Sequence, residues 1–98
     1  MVRNPFVWEV QVRREVLDDE IARLHELPYS VWRDVRKKPI TKIVEGRDNR
    51  SYRLTVNADY VGESDHIRVT VSLSKNRLLG RGLIRQAFVI TPDNDFHV

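Results

Sequence analysis

Residues 51–74 read SYRLTVNADYVGESDHIRVTVSLS, two runs of alternating apolar and polar residues on either side of Gly62-Glu63-Ser64-Asp65. A period of two with β-branched residues, interrupted by a glycine-bearing polar cluster, is the pattern of an antiparallel hairpin. Its register is testable, because a slip of one residue turns every side chain to the wrong face. Closing the hairpin at Glu63-Ser64 sets Tyr60 opposite Ile67, Ala58 opposite Val69, Val56 opposite Val71 and Leu54 opposite Leu73, all on one face. The other face then pairs Asp59 with Arg68, Asn57 with Thr70, Thr55 with Ser72 and Arg53 with Ser74. One face is therefore core and the other is wet.

Working outward, Ile40 to Glu45 and Leu83 to Thr91 read as further strands beyond the turns at Gly46 to Asn49 and Asn76 to Gly82. Such short connections imply a meander. A turn closed at Asp48-Asn49 sets Ile43 opposite Leu54 and Thr41 opposite Val56, leaving Val44 outside beside Arg53 and Lys42 on the wet face. In the last strand Ile84, Phe88 and Ile90 face inward only if Gln86 does too, so a bulge or a strand edge is expected there.

Before the meander, Phe6 to Val12 alternates and predicts a strand, with a helix as the alternative because Trp8, Val12 and Val16 recur every four residues. Asp18-Asp19-Glu20 suits the N-terminus of a helix running to Leu27, where Pro28 stops it. A second short helix follows, with Ser30 as its cap and Val31, Trp32 and Val35 on one face, until Lys37-Lys38-Pro39. The expectation is an α+β fold: an antiparallel four-stranded meander, with a fifth, N-terminal strand as an open addition, and one or two short helices packed on one face.

At 98 residues, 41% hydrophobic and 32% charged, the chain is expected to form a single domain over residues 1–98 with one core and a well-solvated surface. No apolar run approaches the roughly 20 residues of a membrane helix, and Met1-Val2-Arg3-Asn4-Pro5 does not open a signal peptide. The absence of cysteine fits a reducing compartment, with the cytoplasm as the default.

Seventeen basic residues against fourteen acidic ones leave a net charge of only +3, so placement matters more than the total. The meander brings the turn at Gly46 to Arg50 and the loop at Lys75 to Gly82 to one end. There Arg47, Arg50, Lys75, Arg77 and Arg81 face a lone acid, Asp48. With Gly46, Gly80 and Gly82 nearby, this end is a candidate anion or nucleic-acid site, although arginines and glycines also serve ordinary soluble turns. Gly80-Arg81-Gly82 lacks the spacing of a phosphate-binding fingerprint. Leu78-Leu79 inside the basic loop either caps the core or forms a partner-binding tip, and Trp8 marks the N-terminal segment as a second candidate contact.

The wet face carries no aromatic ring, which single-strand RNA readers place on such a sheet. His25, His66 and His97 lack metal-ligand spacing, Asp93-Asn94-Asp95 reads as a turn, and no serine sits in a nucleophile elbow. The sequence therefore offers no catalytic residue, no metal site and no cofactor. Its strongest expectation is a non-catalytic interaction module that binds a protein partner or self-associates, with anion or nucleic-acid binding as the alternative and no membrane association.

Overall fold

A computed structural model describes residues 5–75 and 84–97. Two helices, α1 (Pro5–Leu24) and α2 (Tyr29–Lys37), precede five strands, β1 (Ile40–Glu45), β2 (Ser51–Tyr60), β3 (Ile67–Lys75), β4 (Ile84–Ile90) and β5 (Phe96–His97). The strands form one antiparallel sheet in sequence order. The α+β meander with helices on one face is as expected, but the fifth strand lies at the C-terminal side and not the N-terminal one.

Both helices pack on one face of the sheet. Tyr52, Leu54, Val56 and Ala58 of β2, Ile67, Val69, Val71 and Leu73 of β3, and Phe88 and Ile90 of β4 meet Val12, Leu17, Ile21 and Leu24 of α1 and Trp32 and Val35 of α2. Fully burying each large aliphatic or aromatic side chain stabilises the fold by about 1.5–3 kcal/mol before ordering costs. The β2–β3 register is the one read from the sequence, from Tyr60 opposite Ile67 through Leu54 opposite Leu73. Tyr60 shares the core face but lies at its margin, 39% exposed, with the Arg36 guanidinium 4.4 Å from its ring centre.

The expected strand at Phe6–Val12 is instead the start of α1. A helical stripe, Val12, Val16 and Leu17, Ile21, Leu24, reaches back to the end of that segment, and twenty residues of continuous helix override seven of alternation. Asp18 and Asp19 are consequently exposed in mid-helix and cap nothing. The helix ends at Leu24, and Glu26 and Leu27 follow with tightened bonds to the Arg23 and Leu24 carbonyls. Ser30 lies inside α2, whose N-cap is Pro28 with no side-chain cap.

The β1–β2 pairing also departs from expectation by one residue. Gly46 N–H donates to the Arg50 carbonyl and Asn49 N–H to the Gly46 carbonyl, each at 3.0 Å, while Asn49 adopts φ of 60°. This is a three-residue loop ending in a left-handed asparagine, where the sequence reading assumed a two-residue turn. The extra residue sets Ile43 opposite Arg53, Val44 opposite Tyr52 and Lys42 opposite Leu54. Val44 thereby turns toward the core, Lys42 moves to the helix side, and Ile43 is left 51% exposed on the wet face.

The turn at Thr91–Asp95 repeats this geometry, with Asn94 at φ of 66°, and returns the chain as β5. Of the bulge or strand edge expected at Gln86, the edge is found: β3–β4 pairs run unbroken from Ile67 opposite Ile90 to Leu73 opposite Ile84, and β5 pairs only Val89 and Ile90. Gln86 is accommodated because it is only half-buried and its Oε1 accepts from Arg14 Nη1 at 3.5 Å.

Candidate functional site

The turn between β1 and β2 and the ends of β3 and β4 at Lys75 and Ile84 do lie at one end of the sheet. That brings Arg47, Arg50 and the backbone of Lys75 together. Arg77, Arg81, Leu78 and Leu79 fall outside the described residues, and Trp8 is placed only as a residue of the α1 backbone. α1 adds what the sequence reading did not assign to this end. Glu15 takes one edge of the Arg47 guanidinium bidentately, Nε to Oε2 at 2.6 Å and Nη2 to Oε1 at 2.9 Å. A carboxylate thus occupies one of the two edges through which this arginine could grip a phosphate bidentately. The Glu15 contact was illegible because the segment leading to it read as a strand.

Asp48 is equally committed. Its Oδ2 accepts from the Tyr52 hydroxyl at 2.6 Å and its Oδ1 from the Arg50 amide at 3.2 Å. Burial, then the hydrogen bond and charge of Asp48, push the Tyr52 phenol up to about 12, with Arg50 and Arg13 acting in the opposite sense. Gly46 completes the closure: a Cβ there would lie 2.7 Å from Asp48 Oδ1, 2.8 Å from Val12 Cγ1 and 3.0 Å from Tyr52 Cε2. The described part of this end is a packed junction between turn, sheet and α1.

At the opposite end, His25 stacks on Phe96 at 4.0 Å between ring centres and meets Phe88 edge-on at 4.6 Å. Desolvation holds its imidazole below the usual histidine value. Tyr29 fastens the neighbouring turns, its amide donating to Asn94 Oδ1 at 2.9 Å and its hydroxyl to the Asp65 carbonyl. Among the described residues no three His, Cys, Asp or Glu side chains gather as a metal site, and no helix is long and apolar enough to cross a membrane.

No family model matches the chain, and no curated protein or solved structure proves similar to it.

The feature the sequence reading missed is the outer edge of β1. Its backbone phase follows from the turn: Gly46 and Arg50 share a hydrogen bond, so pairs alternate from there, bonded at Val44–Tyr52, Lys42–Leu54 and Ile40–Val56. Thr41, Ile43 and Glu45 fall on the intervening non-bonded pairs, so their N–H and C=O groups point away from β2. The β2–β3 ladder agrees. There Val61 N–H bonds the His66 carbonyl, which makes Arg53 and Thr55 bond toward β3 and leaves their other side for the non-bonded pairs with β1.

α1 passes β1 on the core side of the sheet, where Glu20 reaches Lys42, while the closest packing of α1 is on β3 and β4 and that of α2 on β2 and β3. Thr41, Lys42, Ile43 and Glu45 are all exposed. Between the edge and α1 runs an open groove of about 290 Å³, lined in part by Val16, Asp19, Glu20 and Val44. In it the nearly buried Glu20 receives Arg23 Nη1 at 2.9 Å and Lys42 Nζ at 3.0 Å. A lysine on an edge strand ordinarily guards it against pairing. Here Glu20 draws the ammonium over the helix side and off the strand's flank.

Proposed function

We propose that the protein is a non-catalytic interaction module that recruits an extended strand along the outer edge of β1. The observation that carries this reading is the row of outward backbone groups at Thr41, Ile43 and Glu45, which no strand among the described residues pairs. An open edge offers backbone hydrogen bonds for affinity and alternate side chains for selectivity. Ile43, half-exposed beside those groups, supplies apolar contact area on the wet face.

Anion or nucleic-acid binding through Arg47, Arg50 and Lys75, with Arg77 and Arg81, is the competing reading. It has less support, because Glu15 engages one edge of the Arg47 guanidinium and, among the described residues, the wet face presents mainly threonine, serine, asparagine and arginine, with His97 at the far margin beside Val89 as its one ring.

Backbone amide NMR separates the two. With a short single-stranded RNA, or inorganic phosphate, at about 50 mM salt, where phosphate binding is strong, the amides of Arg47 and Arg50 are expected to keep their positions. Raising the protein concentration is expected to move the amides of residues 40–45. Salt-sensitive shifts at Arg47 and Arg50 with an unchanged β1 would overturn the reading.

A further inference from the structure

We infer that the strand recruited by β1 is the β1 of a second copy of this chain, paired antiparallel about a two-fold axis through Ile43; the inference rests on reading β1 as a recruiting edge. A two-fold axis perpendicular to the sheet keeps faces together, so each residue must meet one of its own face. The outward groups lie only at odd positions of β1. Centring the axis on Ile43 sets Ile43 opposite Ile43 and Thr41 opposite Glu45 of the second copy. All the outward donors and acceptors at these three positions then find partners in both copies.

The neighbouring registers are poorer. Centring on Lys42 sets two ammonium-bearing side chains directly opposite each other and draws Pro39, which has no N–H, into the ladder. Centring on Val44 leaves Thr41 facing the turn at Arg47. Of these registers, only the one centred on Ile43 joins the two half-exposed isoleucines on the wet face and sets no like charges directly opposite each other.

The helix side agrees with it. Lys42 of one copy then lies opposite Val44 of the other, at the mouth of the groove that carries the exposed carboxylate of Asp19. The two sheets merge into one continuous antiparallel sheet with all helices on the same side, and the wet face doubles in extent. The opposite edge offers less, because β5 already covers Val89 and Ile90 of β4.

The chain has no cysteine, so single cysteines report the register cleanly. In this register the Cα atoms of residue 43 lie about 5.5 Å apart, within disulfide reach. Those of residue 41 are separated by four strand positions, roughly 13 Å. Light scattering from micromolar to near-millimolar protein is expected to show the mass rising from monomer to dimer. Ile43→Cys is expected to oxidise to a covalent dimer and Thr41→Cys to remain monomeric, while Ile43→Pro weakens association by about tenfold or more, since it removes the central outward N–H of each copy. Equal cross-linking at 41 and 43 would overturn the register. A persistent monomer with a well-folded Ile43→Pro variant overturns the second copy alone; a persistent monomer that Ile43→Pro unfolds overturns the open edge as well.

Discussion

Val44→Pro is expected to lower the unfolding free energy by on the order of 3 kcal/mol, while Ile43→Pro, one residue away, costs about 1 kcal/mol or less. The contrast follows from the backbone phase of β1. Val44 donates its N–H to β2 opposite Tyr52, and its side chain packs against the core. Proline there removes a ladder bond, orphans a carbonyl on β2 and takes away part of a half-buried side chain. Ile43 turns its N–H away from β2 and its side chain outward, so proline deletes a group that no neighbour among the described residues uses. On general β-strand preferences the two substitutions look alike, which makes the difference diagnostic of the edge. Urea denaturation of the two variants, at a dilution where association contributes nothing, measures it through the midpoint and an unchanged slope.

A second large effect is expected in alkali. Tyr52 is 1% exposed, and its phenol is raised from 10 to about 12 in the folded chain. Between those values the unfolded chain has lost the phenolic proton and the folded chain has kept it. The folded state therefore binds more protons, and stability falls as pH rises. The contribution is complete below pH 10 and is lost progressively through about pH 12, amounting to on the order of 2–3 kcal/mol at about 1.4 kcal/mol per pKa unit. Tyr52→Phe is expected to flatten this alkaline decline while lowering stability near neutrality, because Asp48 loses the hydroxyl 2.6 Å from its Oδ2. Denaturant unfolding from pH 8 to 12 with tyrosinate absorbance follows both.

The central hairpin was legible because its register makes a definite prediction for eight residue pairs on two chemically distinct faces. A slip of one residue separates Leu54 and Val56 from Val69, Val71 and Leu73, and closure at Glu63-Ser64 with the shortest turn selects among the rest. β1 was not legible to the residue, because its six positions alternate weakly and its register depends on Asn49 adopting a left-handed conformation, a local backbone choice that competes closely with a two-residue turn. The N-terminal segment misled for a related reason: Phe6 to Val12 satisfies a period of two, and only its continuation through Leu17, Ile21 and Leu24 exposes the period of 3.6.

The site was less legible than the fold. Placing Arg47 and Arg50 at one end needed only the order of the strands, and that placement agrees. Whether Arg47 was available needed the tertiary contact with Glu15, thirty-two positions earlier in the sequence. The β1 edge carries no side-chain motif at all. It arises from the direction of backbone N–H and C=O groups, which a sequence expresses only through the exact register of the turn.

Residue-resolved amide hydrogen exchange of the dilute protein tests that edge most directly. The amides of Ile40, Lys42 and Val44 are expected to be protected and those of Thr41, Ile43 and Glu45 to exchange rapidly, with the second set becoming protected as the protein is concentrated. Uniform protection across residues 40–45 at high dilution, or rapid exchange of the second set that no concentration slows, would contradict the account.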